Sequence, residues 1–399
     1  MATRVAFPAA VAAAALAAIP SAGFAQLENY RDNPQSLKFP KGSSAERRAR
    51  MSAVARNPAY TRKFDLSGLP DYVPQSRPKG VLKLCGNNYI GDSPLAGWWK
   101  AEFKKYQPGI TLDVSQLQTA AIAVPCITLG LADIGITHEP SFYDYLSFLR
   151  MKGHEPTGIS IFTGSYETVG WQNNMVIIVN KANPLTHVGM DQLDGIFGAE
   201  RAGGWIGTKW HNELARGPQK NIRTWGQLGL SGEWASRPID TFGYSLRYAT
   251  ALEFSDKVLH SSDKWNGNLL AFGNYPGPDG NTYLEADQIV DHVRADSNAI
   301  AYVRYHPKFP SDVKVLAVGR TAAGPFIPYS IDTLQARKYP LWGDQSIWFD
   351  KKPGQPVDPK LREFIRFVLS KQGQELVEKD GKYLPLTSEA VRQGLAKLQ

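Results

Sequence analysis

Cysteine is scarce in this chain: Cys85 and Cys126 are the two residues of that type among 399. That excludes a disulfide-built scaffold, and their wide spacing excludes a paired-thiol zinc motif. Long apolar runs are missing once the first 25 residues are passed, so no later stretch can span a bilayer, which takes ~20 such residues. No block of one charge sign stands out either. Lys+Arg 45 oppose Asp+Glu 37, a formal net charge of +8 with a sequence pI near 9.2. The excess leans mildly towards anionic partners and says nothing about fold. Organised basic–aromatic interleaving for nucleic acid is absent. So are the signatures of catalysis: no GxSxG elbow, no HExxH, no Walker loop, no GxGxxG opening a helix after a strand. His138-Glu139-Pro140 and His154-Glu155-Pro156 offer zinc-ligand types, but neither has a second ligand one helical turn away. The seven histidines are scattered. The chain reads as a non-enzyme with no cofactor.

What is present begins with an address. Residues 1–25 join Arg4, an Ala-rich apolar stretch, Pro20 and the small residues Gly23 and Ala25, the pattern of a secretory signal cleaved near Ala25. A periplasmic or secreted protein is the expectation. Residues 26–67 form a basic extension in which Ser43-Ser44-Ala45-Glu46 has capping-box spacing and Asn57-Pro58 would stop a short helix. Export places Cys85 and Cys126 in an oxidising compartment. A disulfide between them is expected there, with two buried free thiols as the alternative.

From about residue 68 the texture is strand–helix alternation, which argues for an α/β protein. With 43% hydrophobic residues and roughly 150 residues per domain, two domains or one two-lobed unit are expected. The stretch 94–106 predicts a helix with Trp98 and Trp99 inward. Strands are predicted at 81–84, 175–179, 299–303 and 313–318, and one long helix over 359–378. Three strand ends carry small polar residues: Cys85-Gly86-Asn87-Asn88, Ser115-Gln116-Leu117-Gln118-Thr119, and Asp133-Ile134-Gly135-Ile136-Thr137. Each puts N–H groups at a helix start beside the carboxyl ends of strands, a way to hold a polar or anionic ligand without metal.

Several separated motifs then carry a resemblance. Thr224-Trp225-Gly226-Gln227-Leu228 through Glu233-Trp234 and Arg237-Pro238-Ile239, Asn183-Pro184-Leu185, Gln192-Leu193-Asp194-Gly195-Ile196-Phe197, and Phe367-Val368-Leu369-Ser370 with Tyr383-Leu384-Pro385-Leu386 resemble the phosphate-type periplasmic substrate-binding proteins of ABC transporters. The likeness covers about residues 68–390. It implies a type II periplasmic-binding-protein fold: two lobes, each a mixed β-sheet flanked by helices, with the ligand in the cleft between them. Residues 68–172, completed by about 345–399, would be lobe one and residues 173–344 lobe two.

The resemblance also implies a phosphate site from which this sequence departs. Asn87 and Asn88 stand where a Ser/Thr follows the first strand's Gly, and Gln118-Thr119-Ala120 replaces a Gly/Ser-rich loop. Asn173 stands where a carboxylate accepts the proton of hydrogen phosphate, and Tyr244 replaces a clamping Arg, with Ser245 and Arg247 nearby. An Asn can donate where Asp only accepts, so discrimination against fully ionised anions would be lost. The candidate ligand contacts are therefore Asn87, Asn88, Gln118, Thr119, Thr137, Asn173, Tyr244, Ser245 and Arg247. The expected function is capture of a small polar or anionic solute by a monomer that serves an ABC permease, with no nucleic acid and no membrane span in the mature protein. Two other readings are a binding fold turned extracellular surface protein and, further off, a secreted phosphate-ester hydrolase.

Overall fold

A computed structural model describes residue 60 and residues 62–166, 168, 171–276, 282–304 and 309–399. In it the alternation resolves into two separate five-stranded sheets. The first has the order β2 (Ile110–Gln116), β1 (Gly80–Gly86), β3 (Ile134–Thr137), β10 (Asp344–Phe349), β4 (Thr157–Thr163). The second has the order β7 (Leu270–Phe272), β6 (Asp240–Tyr244), β8 (Ala299–Arg304), β5 (Met175–Asn180), β9 (Val313–Val315). In each, three parallel strands meet an antiparallel one, β10 against β3 and β5 against β8. The same architecture is built twice. β10 returns to the first sheet only after the chain has built the second, whereas β5 is the second sheet's own first strand.

Buried strands explain the apolar runs. β5 and β8 are buried along nearly their whole length, and β10 along all of it, as expected of sheets covered on both faces. The first core packs Leu84, Ile136, Trp99, Phe103 and Phe364 together; the second gathers Ile177, Phe197, Phe254 and Tyr302. Trp99 and Phe103 sit on one face of α1 (Leu95–Tyr106). Trp98, expected inside, is only half-buried and carries the Lys379 ammonium 4.3 Å above its ring.

Two expectations need correction. The run 313–318 is not one strand: β9 ends at Val315, and Ala317–Gly319 joins a different, three-stranded sheet. Leu316 donates its N–H to Ile177 and turns the chain between them. The helix over 359–378 is likewise two, α5 (Pro359–Val368) and α6 (Lys371–Asp380). Ser370 makes the break. Its hydroxyl donates to the Phe367 carbonyl at 2.6 Å and accepts from the Gly373 N–H, capping the second helix as it ends the first.

The chain passes between the sheets at 163–175 and again at 341–344, and the two passages are zipped together. Gly164 N–H donates to Gly343 O at 2.9 Å, and Met175 N–H to Leu341 O at 3.0 Å. Gly343 is required here, since a Cβ would lie 2.0 Å from the Asn173 carbonyl oxygen. The signal segment, its cleavage point near Ala25 and most of the basic extension lie outside the described residues. The end of that extension packs inward. Leu66, followed just past the extension by Leu69 and Tyr72, enters the first core, while Tyr60 enters the second and its hydroxyl bonds Ser165. Among the described residues no helix is long and apolar enough to cross a membrane.

Candidate functional site

Parallel strands end where helices begin, so the loops after β3 and β6 face a common space. A cavity of about 400 Å³ lies there, within the usual ~300–1,000 Å³ of small-molecule sites. One wall comes from the first sheet's side: Thr119 to Ala121, Thr137 to Ser141, and Asp144. The other comes from Arg247 and the start of α4 (Ala249–Val258).

The two walls meet the space differently. α4 begins at Tyr248 with no side-chain cap, so its first N–H groups lack the usual local acceptor. The helical run 120–128, ending in α2 (Ala123–Thr128), also starts without a side-chain cap. By contrast α3 (Phe142–Lys152) is closed by its own capping box. Ser141 Oγ donates to Asp144 Oδ2 at 2.8 Å, and the Asp144 N–H returns a bond to that hydroxyl at 3.3 Å.

Between the walls runs an ionic bridge. His138, just past β3, places Nδ1 2.7 Å from Glu253 Oε1 on α4. Arg304, the last residue of β8, reaches the same carboxylate at 3.3 Å and also holds the Gln172 carbonyl at 2.6 Å. Burial alone would raise the Glu253 carboxyl, but His138 and Arg304 beside it hold it down at about 2. Burial would lower the His138 imidazole; the Glu253 charge outweighs that and raises it. Glu139 differs. The residue is exposed, yet desolvation of its carboxyl against the cavity wall lifts it above the usual range, and the Tyr145 hydroxyl, donating at 2.5 Å, together with Lys257 and Lys397 offsets this only in part. Behind the bridge a second chamber of about 60 Å³ is lined by Ser160, Asn173, Ser346 and Lys257.

Of the nine candidate contacts, Thr119, Thr137 and Arg247 line the main cavity. The others lie elsewhere. Asn87 is buried as the cap of a short helix, its Oδ1 accepting from Tyr89 N–H at 2.8 Å. Asn88 bonds Asp92 within that helix, and Gln118 turns back to the Ser115 carbonyl at 2.9 Å. Asn173 lies in the passage between sheets, accepting from Gln345 at 3.1 Å, and lines the small chamber but not the main cavity. Tyr244 is a correction. It is a core residue, 2% exposed, whose hydroxyl accepts from Arg304 N–H and whose own N–H goes to the Tyr302 hydroxyl. Ser245 spends its backbone on Phe272 and Tyr248. The two cysteines of the expected disulfide lie side by side with their sulfurs unjoined. Cys85 and Cys126 are both free and buried, and the Cys85 thiol points at the Ile122 and Ala123 carbonyls at 3.8 and 3.6 Å.

Sequence reasoning does not single out Ser141, Asp144 and Glu253, and it offers His138 and Glu139 only as metal-ligand types. Their signal was positional: His138-Glu139-Pro140 directly follows a polar strand end, Thr137, already marked as a ligand junction. The segments 142–155 and 205–208 also touch. Phe142 on α3 packs against Trp205 with ring centroids 4.8 Å apart, and Glu155 accepts the Thr208 N–H at 3.0 Å.

Comparison with known proteins fits this architecture. A family profile described as the PBP superfamily domain matches residues 92–372, a span holding all the cavity's residues. The phosphate-binding protein PstS of Pseudomonas aeruginosa is 27% identical over 331 residues, covering 83% of this chain and 90% of that protein. Among solved structures, PstS from Borrelia burgdorferi aligns with a TM-score of 0.46 at 14% identity, over 77% of this chain and 100% of that one. An ABC-type phosphate transport receptor from Vibrio cholerae aligns with a TM-score of 0.45 at 15% identity, over 76% and 99%. With the profile running through both sheets and the space between them, this chain belongs to the PBP superfamily.

Proposed function

We propose that this protein captures a small polar or anionic solute, phosphate-like in its oxyanion, between its two sheets and hands it to an ABC-type permease. The observation that carries the reading is the main cavity itself. It faces an uncapped start of the ten-residue helix α4 and the exposed Arg247, a combination that favours negative charge. The family and the Pseudomonas aeruginosa relative support the same reading.

In this reading residues 68–172 with about 345–399 form lobe one, residues 173–344 form lobe two, and the zipped passages serve as the hinge. Thr119, Thr137 and Arg247 are the ligand contacts retained from the sequence. The protein acts in the periplasm as a monomer and without catalysis: the cleft's Ser141 hydroxyl is committed to Asp144, and His138 to Glu253. A ligand that binds only the native state raises its melting temperature by mass action. A panel of phosphate, sulfate, organophosphates and sugars, screened by thermal shift, should therefore show a dose-dependent rise with a phosphoryl compound. No shift with any oxyanion or phosphate ester rejects the reading, and robust phosphate-ester turnover rejects the non-catalytic part.

A further inference from the structure

The charged groups around the main cavity are not equally matched. Glu253 has two cationic partners, His138 and Arg304. Glu139 lines the same cavity and is solvent-exposed; its carboxylate's one hydrogen bond is from the neutral Tyr145 hydroxyl, and Lys257 and Lys397 act on it without closing an ion pair among the described residues. Asp144 is also a lining residue, and it is bonded to Ser141, a neutral group. On the facing wall Arg247 lacks a carboxylate partner among the described residues. Its guanidinium lies 5.5 Å from the Tyr248 ring centroid and makes one long contact, 3.4 Å, to the Asn274 carbonyl.

A partly desolvated charge without a counter-charge is costly, and more so inside a cleft that closes. Here the unmet charges are of both signs and sit on opposite walls. A bare oxyanion would answer Arg247 and the α4 start but would sit across from two carboxylates that repel it. The cavity is also large, about 400 Å³ against a water's share of ~30 Å³ in the liquid. There is room for a second functional group.

Resting on the reading of the cleft as an oxyanion site, we infer that the ligand is a zwitterion: an amino-substituted phosphate or phosphonate. Its oxyanion lies against Arg247 and the α4 start, and its ammonium lies against Glu139 and Asp144. Glu139 is then the residue that separates this class from simple phosphates, because its carboxylate rewards a cation and penalises a second negative group.

Calorimetric titration of the protein with O-phosphoethanolamine, ethyl phosphate and inorganic phosphate tests this. The first two differ by the amino group. O-phosphoethanolamine is expected to bind roughly tenfold or more tighter than ethyl phosphate, the size of one charge-assisted hydrogen bond. Glu139→Gln, first checked for an unaltered melting curve without ligand, should shrink that ratio to about threefold or less; if it does not fold, Asp144→Asn takes its place. Equal affinity for ethyl phosphate and O-phosphoethanolamine, or a ratio that survives the substitution, overturns the zwitterion while leaving the oxyanion site standing. Failure of all three compounds to bind overturns both.

Discussion

The two sheets share one strand plan but present opposite faces to the space between them. On the second sheet's side the helix after β6 begins uncapped, with an arginine at its entrance that has no carboxylate partner among the described residues. On the first sheet's side the helix after β3 is closed by its own carboxylate, and a further carboxylate, Glu139, sits beside it. A repeated fold therefore does not imply a repeated site. Backbone topology places loops around the cavity, and the choice of cap residue decides which charge each loop offers.

The contrast can be broken at its strongest link. Glu253→Ala would strand Arg304 and His138 in a buried setting, and loss of one partner of such a pair typically costs ~3–5 kcal/mol. Urea unfolding should show a loss of that size; a change below about 1 kcal/mol, the scale of an exposed pair, would mean the bridge is surface-like. Next is Arg247→Ala. The residue is exposed, so stability should move by no more than about 0.5 kcal/mol, while affinity for a phosphoryl ligand should fall by the ~1.5–3 kcal/mol of a charged hydrogen bond. An unchanged dissociation constant would remove Arg247 from the site. Smaller again, Asp144→Ala should destabilise by ~1 kcal/mol through the lost capping box, read as a shift of the urea midpoint.

Last comes the pH signature of the bridge, a gradual change. His138 is raised in the folded state, so its contribution is complete below the ordinary histidine value of 6.5 and fades as pH rises through the higher folded value. Glu253 is depressed to about 2, so its share is present above the ordinary 4.5 and is lost only as pH falls towards 2. The stability gap between the wild type and His138→Gln should accordingly be widest near pH 5–6 and narrow on the alkaline side. A gap that widens with alkalinity would reverse the assignment.

Much of the scaffold was legible because it is written locally. β-branched runs such as Met175–Asn180 and Ala299–Arg304 are buried strands, and the apolar face of residues 95–106 is a helix face. The errors have local causes as well. Ser370 splits a continuous apolar period because a serine hydroxyl can cap one helix while closing another. The site was less legible. Tyr244 occupies a promising motif position, yet it ends a strand whose last four residues are buried, so its ring goes into the core. Asn87 and Asn88 have the right chemistry for ligand binding and spend it on their own short helix. The His138–Glu253 contact joins residues far apart in the chain, and no periodicity within either segment announces it.

The order of the strands has a consequence for biosynthesis. β10 fills the gap between β3 and β4, although it is made after every strand of the second sheet. Until it emerges, β3 and β4 keep unpaired edges, and the helices that finish the first core, α5 and α6, are later still. A polypeptide delivered from its amino end thus cannot lock its leading half until its trailing tenth has arrived.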